Sequence, residues 1–221
     1  MQKQGIKSGT EEGFLQPRWR KAAGALWLKT FVLLCGFLLA IPSFSQQQHL
    51  QYAINRNGKT VGNLSFDKST AGTRTTYNLH SEVKVAVLLT VTVQAREQSV
   101  YDNDVLQSSS MVRHVNGRQK ANKQIVNNGS GLTVSEDGQR KELKNFRVKY
   151  NMHCLYSLEP VHFGNVFSDS YQQFIPIVKM ADHHYRISFP DGGSNDYFYE
   201  NGVCKKVKVK SNLFDAEFIL L

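Results

Sequence analysis

The chain has 221 residues, of which 41% are hydrophobic and 11% aromatic, so it can bury a sizeable single core and is too apolar for wholesale disorder. Its formal charge is +9, but six basic and two acidic residues precede residue 46, leaving +5 over the remainder. That balance favours mild attraction to anionic surfaces and excludes a dedicated nucleic-acid footprint.

Residues 1–45 read as an export signal. Arg18, Arg20, Lys21 and Lys29 form a basic flank, and Phe31 to Ile41 carries no charge. Pro42 then breaks the segment, and Ser43-Phe44-Ser45 places small residues for cleavage before Gln46. An uncleaved anchor is the competing reading, but the uncharged run rises only about 16 Å as a helix, half a bilayer core. Cys35 follows Leu34, too large a residue for a lipidation motif. The expected organisation is a signal over 1–45 and one β-rich domain over 46–221, located in the periplasm or outside the cell.

From residue 46 onward the pattern is that of a meander of hairpins. Asn57-Gly58, Asn116-Gly117, Asn128-Gly129, Asp137-Gly138, Asp191-Gly192 and Asn201-Gly202 separate short runs rich in β-branched and aromatic residues. Between Tyr77 and Ala95 the odd positions read Tyr77, Leu79, Ser81, Val83, Val85, Val87, Leu89, Val91 and Val93, while the even positions are mostly polar. A two-residue turn would swap this parity, so the alternation predicts one long strand of roughly 60 Å, bent and coiled. The fold class expected from it is all-β and mostly antiparallel. Its strongly curved sheet would form an open barrel or β-roll, with at most one short helix. Tyr77, Leu79, Val83, Val85, Val87, Leu89 and Val91 would then line an apolar interior able to take a lipid or other greasy ligand. The polar stretch 116–145 reads as exposed, protruding hairpins. Ser168-Asp169 is placed to cap a short helix carrying Phe167, Tyr171 and Phe174, which Pro176 would limit.

Chemistry-bearing motifs are sparse. Cys154 and Cys204 remain after signal removal, and an oxidising compartment permits one disulfide between them; two separate thiols are the alternative. His183-His184 would point to opposite faces of a strand, which disfavours a shared metal. His153 beside Cys154 suggests a Cys–His nucleophile, but alternation separates them too, and His162 or His80 would have to come in by the fold. Lys206, Lys208 and Lys210 form a row that reads as the solvated face of an edge strand. No phosphate-binding loop, dinucleotide fingerprint or nucleophile elbow occurs, and no cofactor, metal or catalytic residue is called for.

Tyr52-x-Ile54 with Asn57-Gly58-Lys59-x-Val61-Gly62, Leu155-Tyr156 with Glu159-Pro160, Phe167-Ser168, and Tyr197-x-Tyr199-x-Asn201-Gly202 together resemble an uncharacterised family of Bacteroidetes secreted proteins, domain-of-unknown-function family 6134. The resemblance covers roughly residues 50 to 221. It implies one exported β-rich domain and no catalytic residues. The expected function is a non-enzymatic envelope protein binding a lipid or other apolar ligand within its curved sheet. The alternative is a structural or protein-interaction module acting through surface hairpins, with an envelope protein as partner. An outer-membrane barrel fits less well, since 116–145 is too polar to span and Leu221 ends the chain where an aromatic is usual. No feature sets an oligomeric state.

Overall fold

The computed structural model describes residues 46–86, 90–211 and 215–221; the expected signal, Val87 and Leu89 lie outside them. The strands are β1 (Gln46–Arg56), β2 (Lys59–Ala71), β3 (Arg74–Ala86), β4 (Thr90–Asp102), β5 (Val105–Val115), β6 (Arg118–Asn127) and β7 (Gly131–Glu136). There follow β8 (Gln139–Lys144), β9 (Asn165–Ser168), β10 (Gln173–Ala181), β11 (His184–Ser188), β12 (Ser194–Glu200), β13 (Val203–Lys210) and β14 (Asp215–Leu220). A 3-10 turn, Met152–Tyr156, lies between β8 and β9. All the strands belong to one antiparallel sheet in the order β8-β7-β6-β5-β4-β3-β2-β1-β14-β13-β12-β11-β10-β9.

The turns follow from local chemistry. Asn57-Gly58, Asn116-Gly117, Asp137-Gly138 and Asn201-Gly202 have positive φ at both residues, the conformation whose twist matches a two-residue hairpin. Asn103-Asp104 does the same without glycine, using residues that tolerate the left-handed region. Several of these turns are followed at once by a bulge, with Val61, Gln107, Lys120 and Lys205 as the extra residues opposite Ile54/Asn55, Val100/Tyr101, Arg113/His114 and Phe198/Tyr199. The extra residue moves the pairing by one and adds local twist. Beyond the first bulge Gly62 passes so close to the Glu82 carbonyl oxygen on β3 that a Cβ would collide with backbone. Gly62→Ala is therefore expected to lower unfolding stability by about 1–3 kcal/mol, read from urea denaturation.

The expected long strand is two strands. β3 and β4 are a hairpin in which Val83 faces Val93, Val85 faces Val91 and Ala86 faces Thr90. A three-residue link, 87–89, keeps partners at the same parity, so unbroken alternation describes this hairpin as well as one long strand. The argument for a strongly coiled sheet falls with it. The expected open barrel or β-roll is likewise overturned: the sheet starts at β8 and stops at β9, and these end strands do not pair.

The inner face is packed against a connecting segment, residues 145–164. Because β8 and β9 are the two ends of the strand order, the chain must cross that face to get from one to the other. Val148, Cys154, Leu155 and Tyr156 of this strap are buried in one core with Tyr52, Phe66, Tyr77, Tyr185, Ile187 and Tyr199. The Tyr156 ring stacks on Phe66 at 5.6 Å and meets the edge of Tyr52 at 5.4 Å. The helix expected near 167–174 is absent. Phe167 belongs to β9 and Phe174 to β10, paired across the two strands with ring centroids 5.6 Å apart. The stretch 116–145 protrudes only at its tips, since Ile125, Leu132, Val134 and Leu143 are buried.

Candidate functional site

A buried loop carries backbone groups that water cannot satisfy, and the strap solves this with tyrosines and strand edges. The Leu106 N–H donates to the Val148 carbonyl and the Phe167 N–H to that of Tyr150, each at 2.9 Å. Asn151 donates its N–H to the Tyr101 hydroxyl at 3.0 Å, and the Tyr199 hydroxyl donates to the Leu155 carbonyl at 2.8 Å. Farther along, the Tyr185 hydroxyl donates to Glu159 at 2.9 Å.

Where the strap meets β4 and β5, polar side chains converge. His153 lies between Glu97, 2.7 Å from its Nε2, and Ser99, whose Oγ is 2.6 Å from its Nδ1. Asn151 Nδ2 donates to Ser99 Oγ at 2.7 Å and to Asp169 Oδ2 at 3.1 Å. Burial disfavours the imidazolium, but the hydrogen bond and charge of Glu97, with Asp169 behind it, outweigh this and raise the His153 pKa. Burial alone would raise Glu97 too; its bond to His153, that residue's charge and that of Arg113 prevail and lower it. A charged His153 donates from both nitrogens. Ser99 then accepts from His153 and Asn151 and donates toward Ser109 at 3.4 Å, which completes its hydrogen bonding.

Asp169 is the stressed member. Burial raises its pKa against the charge of His153 and hydrogen bonding from Ser109 and Asn151, with Glu97 adding to the rise, and its Oδ1 has no partner of good geometry. A small cavity of about 20 Å³ adjoins it, lined in part by Glu97, Ser109, Lys123 and His153, on the scale of a single water. Lys123, almost wholly buried, binds Glu136 at 3.1 Å and the Ser170 carbonyl at 3.0 Å, and so ties β6 to the link after β9. A serine, a histidine and a carboxylate thus stand in line. Ser99, however, is fully shielded from solvent, and its bonds to His153 and Asn151 brace the strap.

The residues singled out in the sequence fall elsewhere. Tyr77 and Leu79 are packed in the core, Val83 and Val85 are half-buried, and Val91 is 37% exposed. They line no common cavity among those described, and the expectation of an apolar ligand held in a strongly curved sheet is overturned by the open sheet. Cys154 and Cys204 are free, buried thiols, so of the two readings it is the separate thiols that the structure has. Cys154 Sγ points to the Tyr101 hydroxyl and Asn151 Oδ1, each at 3.7 Å, and Cys204 Sγ to the Lys206 carbonyl at 3.4 Å. Burial raises both thiols, Cys204 to about 12. In the native protein neither is expected to react with iodoacetamide at pH 8; both should react after denaturation without reductant, as intact mass would record.

His183 sits in the β10–β11 turn with its ring on Glu159, whereas His184 binds Asp196 at 2.8 Å and stacks on Phe198. Among the described residues no cluster of His, Cys, Asp and Glu could hold a metal. The lysine row is not on an edge: β13 lies between β12 and β14. Lys206 Nζ covers the Phe198 ring at 4.6 Å, and Lys208 pairs with Glu217 at 3.5 Å. Glu97, Ser99 and Asn151 were missed in the sequence, where none stands in a motif, and Asp169 was read there only as part of a helix cap. The one available signal was Asn151 and His153, two polar residues flanking the apolar run through Tyr156.

The exposed chemistry lies at the β8 end. β8 reads Gln139-Arg140-Lys141-Glu142-Leu143-Lys144, and only Leu143 is buried. Arg113, Arg118 and Lys120 are exposed around the neighbouring β5–β6 tip.

Fold and site together define an all-antiparallel β protein whose open sheet is locked by an internal strap and a buried polar network. Over residues 52–221 the sequence matches the family described as a domain of unknown function, DUF6134, and the chain belongs to that family. No curated protein matches. Among solved structures it is similar to a beta-barrel-like protein of domain of unknown function DUF1849 from Brucella abortus. That likeness covers 80% of this chain and 95% of the other at 11% identity, with a TM-score of 0.51, and concerns the fold alone.

Proposed function

We propose that this protein is an exported, non-enzymatic module that holds an envelope protein partner through the hairpins at the β8 end of its sheet. The observation that carries this reading is the free strand edge of β8, which ends the sheet and presents Arg140, Lys141 and Lys144 to solvent. An unpaired edge is a template for another chain, and a cluster of cations steers an acidic partner toward it. His153, Ser99 and Asn151 are buried and bonded to one another where the strap meets the sheet, which leaves the outer hairpins as the accessible chemistry.

The test is site-specific photo-crosslinking in cells producing the full chain, with the crosslinker at Lys141 or, as control, at exposed Ser188 of β11. A discrete adduct is expected from position 141 alone, lost when Arg140→Glu and Lys144→Glu are added. Equal adducts from both positions, or none from 141, would refute the proposal.

A further inference from the structure

We infer that the partner is recognised by strand addition: an extended acidic segment pairs with β8 along its free edge. This rests on the hairpin reading above and specifies its mode.

The register decides which peptide groups are free. β7 and β8 are closed by a two-residue turn, with Glu136 opposite Gln139, Val134 opposite Lys141 and Leu132 opposite Leu143. The Asn145 N–H continues the ladder by donating to the Ser130 carbonyl at 2.9 Å. Peptide groups alternate sides along an antiparallel strand. The odd residues from Gln139 to Asn145 therefore face β7, and Arg140, Glu142 and Lys144 turn their N–H and C=O groups outward. Among the described residues no strand lies beyond them. An open cleft of about 370 Å³ runs beside this edge, lined by Val134, Glu136, Asp137, Gln139, Arg140, Lys141 and Gln172.

Charge then selects the occupant. β8 carries Arg140, Lys141 and Lys144 against Glu142 alone, and the chain continues with Arg147 and Lys149. Of the acids nearby, Glu136 is bound to Lys123 at 3.1 Å, and Asp137 lies in the turn, off the run of outward peptide groups. Like charges oppose pairing of two β8 edges, which disfavours a second copy of this chain. Opposite charges across a strand pair favour an acidic one. The main chain would supply affinity and the cations the choice of sequence.

The probe is a short, end-blocked peptide of alternating glutamate and valine, with a lysine–valine peptide as control, titrated against the full chain by fluorescence anisotropy. Glu142→Pro removes one outward N–H while sparing every backbone bond to β7, a placement that edge strands tolerate, and it also removes the carboxylate that accepts from Thr133 at 2.9 Å. Glu142→Ala removes the same side chain and keeps the N–H. Glu142→Pro is expected to bind the acidic peptide about tenfold or more weakly than Glu142→Ala. In the wild type, the peptide should slow hydrogen exchange at the amides of Arg140, Glu142 and Lys144, a readout that needs no variant to fold. Equal affinity of the two variants without that protection would overturn strand addition yet leave the hairpin reading standing on its crosslinks. Failure of the wild type to bind the acidic peptide, or equal binding of the lysine peptide, would overturn the acidic partner.

Discussion

Replacing His153 with alanine is expected to destabilise the fold by about 3–5 kcal/mol, the usual effect of removing one member of a buried, hydrogen-bonded charge pair. Glu97 loses its 2.7 Å partner, and Ser99 and Asn151 lose the geometry that anchors the strap. The same residue should shape the pH dependence of stability. The folded His153 pKa is raised above the ordinary 6.5, so the fold holds that proton more tightly than the unfolded chain does. Its contribution is complete below 6.5 and disappears as pH rises through the folded value. Asp169, raised above 3.8, has the same sign over its own, more acidic window. Glu97, lowered from 4.5, acts oppositely, contributing above 4.5 and losing its effect as pH falls through its folded value. Urea midpoints should therefore drop on either side of an intermediate maximum, and His153→Ala should lose the alkaline decline. A variant that kept this decline would show that another group causes it.

Phe66→Ala should cost about 3–5 kcal/mol by opening a cavity in a fully buried site. The ring lies between Tyr156 of the strap and Tyr77 of β3, with centroid separations of 5.6 and 6.0 Å, so its removal loosens strap and sheet together. Phe66→Leu, which fills part of the space, should recover part of the loss. Calorimetry would check both, and a loss below about 1 kcal/mol would mean the strap collapses into the gap.

Much of the sheet was legible because its rules are local. Asn57-Gly58, Asn116-Gly117 and Asn201-Gly202 impose hairpin turns by their own backbone preferences. Tyr52 and Ile54 on β1, Leu64 and Phe66 on β2, and Tyr197 and Tyr199 on β12 stand two residues apart, the period of one strand face, and all are buried. The same rule misled between Tyr77 and Ala95, because parity cannot distinguish a continuous strand from a hairpin with an odd-numbered link. The cysteine pair stayed open for another reason: parity in number and an oxidising compartment say nothing of proximity. Cys154 sits in the strap against Tyr101, while Cys204 sits in β13.

The sequence by itself determined an antiparallel meander, most of its turns and most of its inward face, since each depends on residues a few positions apart. Only the tertiary structure decided that the sheet stays open and that residues 145–164 cross its inner face. The same holds for Glu97, Ser99, Asn151, His153 and Asp169 meeting beneath β4 and β5, and for β8 being left as a free edge. Those outcomes depend on which strands become the ends of the sheet. That is a long-range matter: the strap has no periodicity of its own, and its path is dictated by the two edges it must join.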